Sequence, residues 1–199
     1  MKIEFDAALH AYTVDGKRYP SVTEVLRPQT DWSHVPAWQL EAAGALGRDV
    51  HAAVNLLARG QLDEDSLDAA VAPYVNGAAM FLRVSGATVL ASEQRVASKT
   101  LRVAGTLDLL LDWDGWLCYV DWKVSDAMPK TVGAQLAGYQ KLYEETFRAG
   151  RRHSRSRRLC VRLKHNDYSS ERCRDDNGDY ALFQACVTTH WNKQERKYG

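Results

Sequence analysis

The sequence lacks paired cysteines and long apolar runs, and each absence excludes a class of protein. No two cysteines form a CxxC pair, so zinc-ribbon and thioredoxin-type sites are disfavoured and free, mostly buried thiols are expected. No apolar run approaches the roughly 20 residues that span a bilayer. Glu4 and Asp6 stand where a secretory signal would need apolar residues. We therefore expect an intracellular, cytoplasmic protein that does not bind membranes. The four cysteines are Cys118, Cys160, Cys173 and Cys186.

The sequence also has almost no net charge, because its basic and acidic residues nearly cancel. The formal charge is +1, from 26 basic and 25 acidic residues, and 45% of the residues are hydrophobic, as in soluble globular chains. Eight basic residues and no acid lie between Arg148 and Lys164. The rest of the chain is therefore acidic, and one short segment is strongly basic.

Hydrophobic periodicity predicts helices on both sides of a group of strands. Apolar residues recur three and four apart between Pro36 and Gly60, which predicts a helix, and from Thr88 the period changes to two. The other expected elements are a hairpin at 11–19, a short helix after Ser21, a helix at 66–84, strands at 88–97, 102–113 and 116–124, a helix at 130–148, a strand at 158–164 and a helix at 179–195. This order predicts an α/β (α+β) chain whose central sheet is flanked by helices.

A two-residue hairpin turn is predicted at Asp114-Gly115, because Asp-Gly between apolar runs suits a type I′ turn. In that register Asp108 faces Asp121 in a non-hydrogen-bonded pair, with Cα atoms about 4.5 Å apart, and Thr106 faces Lys123. Two facing carboxylates repel, so a raised pKa, a nearby cation or a bound metal must compensate. Carboxylate oxygens with water are what Mg²⁺ usually takes from a protein. The structural alternative is a surface hairpin whose charges face solvent.

Two acidic motifs resemble the GxxD … DxK core of the PD-(D/E)XK nuclease superfamily. They are Gly105-Thr106-Leu107-Asp108 and, thirteen residues after Asp108, Asp121-Trp122-Lys123. Further stretches resemble the GxxxH helix motif, the acid of the first core strand and the QxxxY motif: Gly47 to His51, Ser92-Glu93, and Gln135 to Tyr139. In this order, over roughly residues 10 to 165, they resemble the RecB-type branch, which includes phage-encoded exonucleases and the mitochondrial genome-maintenance exonuclease.

The resemblance implies a restriction-endonuclease-like αβββαβ core around a mixed sheet and a Mg²⁺ or Mn²⁺ cofactor. The implied metal ligands are Asp108, Asp121, His51, the Trp122 carbonyl and Glu93. Glu93 has the alternative of pairing with Arg95, and His51 that of a structural histidine. The branch's iron–sulfur members carry one cysteine before the core and three clustered after it. That pattern is absent from this sequence, so we predict no iron–sulfur cluster.

The same resemblance implies roles for the residues around the metal. Lys123 would stabilise the attacking hydroxide and the charge that develops at phosphorus. Gln135 and Tyr139, four apart on one helix face, would orient Lys123 or hold a DNA phosphate; Tyr139 also belongs to an apolar stripe with Tyr143. Gly47, which has no side chain, would allow a close approach to the helix backbone at this position. We expect one nuclease domain over 1–199, with the hairpin and the helices that carry His51 in 1–60, the catalytic core in 88–165 and a C-terminal extension in 166–199.

The basic segment is either a solvated loop or the path of a nucleic-acid backbone. It carries no recognisable pattern for reading bases, so DNA binding largely independent of sequence is expected. The residues predicted to bind DNA are Arg151, Arg152, Arg155, Arg157 and Arg158. Trp32, Trp38 and Tyr19 either stack on unpaired bases or pack in the core.

Taken together, the motifs favour a metal-dependent DNA nuclease of bacterial or phage origin that acts in repair or recombination. An exonuclease is favoured, which hydrolyses phosphodiester bonds by in-line attack of metal-activated water. One alternative is a restriction-type or structure-specific endonuclease. Another is a non-catalytic nucleic-acid-binding module. Both acids, the lysine and the QxxxY pair are intact, which argues against this alternative. Recombination or replication proteins are the expected partners.

Overall fold

The computed structural model describes residues 1–125, 127–147 and 155–198, with residues 197 and 198 described by their backbone alone. The described elements, in chain order, are β1 (Ile3–Asp6), β2 (Ala11–Val14), β3 (Lys17–Tyr19), α1 (Val22–Leu26), α2 (Ala37–Ala58), α3 (Ala72–Ser85), β4 (Thr88–Ser98), β5 (Val103–Trp113), β6 (Trp116–Lys123), α4 (Val132–Thr146), β7 (Ser156–Lys164), β8 (Asp167–Cys173) and α5 (Asp176–Tyr198). Short 3-10 turns lie at Arg27–Gln29 and Glu64–Ser66.

The central sheet has five strands in the order β4-β5-β6-β7-β8. The pair β6 and β7 is parallel, and the other neighbours are antiparallel. The sheet is therefore mixed, and the parallel pair requires the crossover through α4. A separate antiparallel sheet, β1-β2-β3, precedes it. The predicted fold class, a central mixed sheet flanked by helices with an N-terminal hairpin, is confirmed.

Helices cover both faces of the central sheet. One face packs on α1, α4 and α5 around a buried cluster that includes Leu110, Tyr119 and Phe183. The other face packs on α2 and α3 around a cluster that includes Val54 and Phe81. Because Leu110 and Tyr119 are buried, neither face of the β5–β6 hairpin is a solvent face. The alternative of a surface hairpin is therefore wrong.

Most of the predicted elements are present, and the structure shows how a helix cap and a turn begin or join them. The Ser21 hydroxyl accepts a hydrogen bond from the Glu24 N–H at 2.9 Å and begins α1. Asp114 and Gly115 have φ values of +52° and +75°, as a type I′ turn requires. The paired residues run from Trp113 opposite Trp116 to Leu109 opposite Val120, which confirms the register up to that point.

The structure differs from the prediction at three places. The helix expected over 66–84 begins at Ala72, with Pro73 in its first turn, where a missing N–H costs nothing. Strands β1 and β8 were not predicted. Strand β8 lies in the segment expected to be a C-terminal extension, yet it forms the edge of the central sheet.

None of the described helices has both the length and the apolar character that crossing a membrane requires.

Candidate metal centre

Three side chains from three different elements converge beside the middle of β4 and β5. His51 of α2, Glu93 of β4 and Asp108 of β5 each offer a ligand atom, and these atoms lie within 4.8 Å of one another. An imidazole with two carboxylates is a ligand set that suits Mn²⁺ and, with water, Mg²⁺. The sequence prediction that these residues share a site is consistent with this geometry.

A hydrogen bond to the Trp122 carbonyl orients the His51 ring so that its other nitrogen faces Asp108. Its Nε2 lies 3.1 Å from the carbonyl oxygen of Trp122, which holds the ring when Nε2 carries the proton. Its Nδ1 lies 3.6 Å from Asp108 Oδ2. In that tautomer the Nδ1 lone pair points toward a carboxylate, an arrangement that a cation between them would stabilise. The Trp122 carbonyl, predicted as a metal ligand, therefore lies at the border of the centre.

Glu93 reaches the centre from an unusual backbone conformation. Its φ is +51°, in the left-handed region that a glutamate within a strand seldom adopts. Its neighbours Ser92 and Gln94 pair with Leu109 and Leu107, which places Glu93 opposite Asp108. Partial burial and the Asp108 charge raise the pKa of Glu93 to about 7, although its side chain stays open to solvent. A cation would relieve this repulsion between carboxylates.

Asp108 is fixed by the backbone of the neighbouring strand. The Trp122 N–H donates a hydrogen bond of 2.9 Å to Asp108 Oδ2. The ladder between β5 and β6 ends one pair earlier, at Leu109 and Val120. The predicted pairing of Asp108 with Asp121 is therefore wrong. In the predicted register the Trp122 N–H would bond to the Leu107 carbonyl, whereas it bonds to the Asp108 side chain.

Asp121 lies apart from the three-residue centre, in a buried network of its own. It is 1% exposed. Its Oδ1 accepts a hydrogen bond from Gln135 Nε2 at 2.7 Å, and its Oδ2 lies 2.6 Å from Lys123 Nζ. Burial raises the pKa of Asp121, an effect that the Lys123 ammonium partly offsets. Gln135 therefore acts on Asp121 directly and on Lys123 only through it.

Lys123 keeps its positive charge in these surroundings. Burial lowers the pKa of its ammonium, but the carboxylates of Asp121 and Asp108 more than offset this effect, and the net direction is upward. The Lys123 side chain remains 23% exposed, so a substrate phosphate can reach its charge from the solvent side. The predicted position of Lys123 beside the acids is thus consistent with the structure.

Tyr139 packs under the site rather than into it. Its ring lies so close to β5 that a Cβ at Gly105 would be 2.7 Å from Tyr139 Cε1. Burial raises the pKa of the Tyr139 phenol well above its usual value. The glycine of the GxxD motif therefore has a packing reason, and Tyr139 belongs to the apolar core as well as to the motif.

Sequence reasoning assigned no role to Tyr12, which the structure brings to the same region. Its hydroxyl lies 2.8 Å from Thr106 Oγ1, which joins the N-terminal sheet to β5. Burial raises the pKa of Tyr12, and the charges of Glu93 and Asp108 act in the same direction. Tyr12 belongs to the hairpin predicted at 11–19, and the sequence of a hairpin alone names no partner in another sheet.

The predicted DNA-binding arginines do not share one environment. Arg158 is 3% exposed. It donates to the Gly133 carbonyl at 2.9 Å and pairs with Asp176 at 2.7 Å and Asp179 at 3.1 Å. A buried guanidinium held in this way supports the fold, which argues against the prediction that it contacts DNA. Arg151 and Arg152 lie outside the described residues.

Arg155 and Arg157 stack on the indole of Trp116, with their Cζ atoms 5.3 Å and 4.1 Å from the ring centroid. They lie at the beginning of β7, whereas Asp121 pairs with Cys160 further along that strand. Three residues of strand, about 10 Å, separate the Arg157 position from the Asp121 position. These two arginines therefore lie beside the site rather than in it.

All four cysteines are free thiols. Cys118, Cys160 and Cys186 are buried, and Cys173 is partly buried. Burial raises the pKa of Cys160 to about 12 and that of Cys118 to about 11, so neither is disposed to ionise and bind a metal. The expectation that no iron–sulfur cluster is present stays a prediction.

Comparison with known proteins agrees with this geometry. A family model described as the PD-(D/E)XK nuclease superfamily matches residues 23–195. The match contains the three-residue centre, the Asp121 network and every strand of the central sheet. No curated protein matches the chain. Since the family match extends over most of its length, this chain belongs to the PD-(D/E)XK nuclease superfamily.

Proposed function

We propose that this chain is a divalent-metal-dependent deoxyribonuclease that degrades DNA from an end, with little dependence on sequence. Membership of the superfamily supports a metal-dependent phosphodiester hydrolase that acts on nucleic acid. The observation that carries the proposal for this chain is the convergence of His51, Glu93 and Asp108 within 4.8 Å, beside a lysine that keeps its charge. His51 of the GxxxH motif belongs to this centre, and Gln135 of the QxxxY motif bonds to Asp121; both support the RecB-type branch.

The residues present fit a divalent cation of the Mg²⁺ or Mn²⁺ type. The donors are hard oxygens and one imidazole, and burial together with the Asp108 charge raises the pKa of Glu93 to about 7. The cation would be held by Asp108, Glu93 and His51, with Asp121 and the Trp122 carbonyl at the border of the set. When bound, such an ion neutralises phosphate charge and acidifies a water molecule.

The side chains around the centre divide the remaining work. Lys123, held 2.6 Å from Asp121, presents a positive charge to the phosphoryl oxygens, where negative charge increases in the transition state. Gln135 fixes Asp121 and so limits where the lysine can lie. The Trp122 N–H donates to Asp108 Oδ2 and so orients the carboxylate, whose Oδ2 also faces His51 Nδ1.

Phosphate contacts outside the centre are assigned to Arg151, Arg152, Arg155 and Arg157. Arg155 is exposed and Arg157 is partly buried, and their stacking on Trp116 holds the planar guanidiniums in place. Arg158 is left out of this set because its ion pairs already occupy it.

Digestion of labelled DNA tests the proposal. The wild-type protein should cleave linear DNA with Mg²⁺ or Mn²⁺ and not with EDTA. Asp108→Asn and Lys123→Ala should each lower the rate by about a thousandfold, which corresponds to about 4 kcal/mol of transition-state stabilisation. Asp114→Asn, a carboxylate at the turn of the same hairpin, is the matched control and should keep wild-type activity. Cleavage that survives EDTA, or full activity in Asp108→Asn, would contradict the mechanism.

A second substrate separates exonuclease from endonuclease action. Closed circular DNA offers no end, so an exonuclease leaves it intact while it degrades the linear form. Equal cleavage of both forms would contradict end-dependent action and favour the endonuclease alternative.

A further inference from the structure

Three arginines at one end of β7 and β8 surround the indole of Trp116. The guanidinium carbons of Arg157, Arg155 and Arg172 lie 4.1 Å, 5.3 Å and 5.7 Å from the ring centroid, within the range of cation–π contact. No two of these carbons can be further apart than twice the largest of these distances, because all three lie near one centroid. We call Trp116 and the three arginines the Trp116 cluster.

The strand register places the Trp116 cluster on one face of the central sheet. Cys118 of β6 pairs with Arg157, and Leu159 of β7 pairs with Arg172. Paired residues on neighbouring strands project from the same face. Cys118 and Leu159 belong to the buried cluster under α2 and α3, so both arginines project from that face. Helix α2, which carries a ligand of the metal centre, therefore packs on the same face as the Trp116 cluster.

The positive charges of the Trp116 cluster have no carboxylate partner within the described parts of the chain. None of the ion pairs there involves Arg155, Arg157 or Arg172. The carboxylate of Asp112, at the same end of the sheet, accepts a hydrogen bond from the turn N–H of Gly115 at 3.1 Å. Three guanidiniums this close together repel one another, because salt screens charges only beyond about 8–10 Å. An anion bound among them would remove that repulsion.

One nitrogen of the Trp116 cluster also lacks a hydrogen-bond acceptor. Arg157 Nε is buried and has no partner among the described residues, although a buried donor without a partner is costly. Arg155 and Arg172 are exposed, so an anion can approach from solvent. A phosphate group suits such a cluster, because its several oxygens accept from more than one guanidinium and match the planar fork of each.

We propose that the Trp116 cluster is a second anion site, which binds a backbone phosphate of the DNA whose end lies at the metal centre. The proposal rests on the nuclease function proposed above and deepens it, because it joins Arg172 of the edge strand and Trp116 to the substrate surface. Trp116 pairs with Trp113, five residues along β5 from Asp108, which corresponds to about 17 Å. Phosphates of one strand rise about 3.4 Å per nucleotide along a duplex. The bound phosphate therefore lies at least about five base pairs from the scissile bond.

Neutral phosphates and charge-neutralised arginines together test this inference. Arg172→Gln and Arg155→Gln each remove one charge from an exposed side chain of the Trp116 cluster. Arg27→Gln makes the same change at an exposed arginine after α1, a helix on the other face of the sheet, and is the matched control. Labelled blunt duplexes carry one uncharged methylphosphonate at successive positions. Their affinity is measured by fluorescence anisotropy with Ca²⁺ in place of Mg²⁺, and thermal unfolding shows that each variant folds.

In the wild type, a methylphosphonate at one or two positions at least about five base pairs from the end should weaken binding about fivefold to tenfold, as for the loss of one charge-assisted contact. Arg172→Gln should weaken binding of the unmodified duplex by a similar factor, and the same methylphosphonate should then cost less than about twofold, because the two changes remove one contact. Arg155→Gln should behave in the same way, and Arg27→Gln should bind like the wild type.

The results separate failure of this inference from failure of the proposed function. If the wild type cleaves linear DNA but no methylphosphonate position is coupled to Arg172 or Arg155, the inference is wrong and the nuclease function stands. If Arg27→Gln weakens binding as much as Arg172→Gln, the contact is not specific to the Trp116 cluster and the inference is also wrong. If the wild type neither binds nor cleaves DNA, both the inference and the proposed function are wrong.

Discussion

At the scale of single residues, the contact between Gly105 and Tyr139 explains why a glycine precedes Asp108 by three positions. The Tyr139 ring occupies the space that a Cβ would need, so the ring packs directly against β5 at Gly105. A side chain at this position must displace either a buried ring or the strand that carries Asp108.

Gly105→Ala should lower the free energy of unfolding by about 1–3 kcal/mol, the usual cost of overpacking a core. In a chain of this size that corresponds to a fall in melting temperature of about 2–4 °C per kcal/mol. Thermal unfolding measures it, with Gly47→Ala as control, where the Cβ has open space. An unchanged melting temperature in Gly105→Ala would contradict the packing described.

At the scale of secondary structure, Arg158 joins three elements. It extends from β7 to the first turn of α4 at Gly133 and to the beginning of α5 at Asp176 and Asp179. Its guanidinium is buried, so removing it leaves carboxylates and a carbonyl without their partner.

Arg158→Met should therefore destabilise the protein by about 1–3 kcal/mol, since the buried Gly133 carbonyl loses its donor while Asp176 stays solvated, and urea unfolding measures this. The variant should leave the DNA affinity of the folded protein unchanged. Arg155→Ala is the matched comparison, with the opposite expectation of near-wild-type stability and weaker DNA binding. If Arg158→Met weakened DNA binding without destabilising the fold, the structural role assigned to Arg158 would be wrong.

Most elements could be predicted because their apolar residues recur with a clear period, as in α2 and β5. Strand β8 could not, since its sequence, Asp167 to Cys173, offers almost no apolar alternation and pairs on one side alone, at the edge of the sheet. Strand β1 is short and half exposed, so it gave too few residues for a pattern.

The candidate site was predictable in part for similar reasons. Turn chemistry at Asp114-Gly115 set the register of β5 and β6, which local sequence can specify. The turn could not reveal that the Trp122 N–H bonds to the Asp108 side chain, because that contact replaces the backbone pairing that would follow Leu109 and Val120. The approach of His51 and Glu93 to Asp108 depends on long-range packing, and it was expected from motif resemblance rather than from periodicity.

At the scale of the whole molecule, the charge distribution predicts how DNA binding depends on salt. The basic residues between Arg148 and Lys164 belong to an otherwise acidic chain, so binding should weaken as salt displaces phosphate contacts. Each contact contributes about 0.9 to the slope of log affinity against log salt on duplex DNA. Arg155→Ala with Arg157→Ala should reduce that slope by up to about two. A slope equal to that of the wild type would show that neither arginine contacts DNA phosphates.

The most direct test of the central claim is metal binding by His51, Glu93 and Asp108. Isothermal titration calorimetry with Mn²⁺, in the absence of DNA, reads the centre without any requirement for activity. The wild type and Asp114→Asn should bind Mn²⁺ with the same affinity, and Asp108→Asn should bind it at least about tenfold more weakly because one of two carboxylate ligands is lost. Equal Mn²⁺ affinity in Asp108→Asn and the wild type, or no binding by the wild type, would contradict the assignment of this centre.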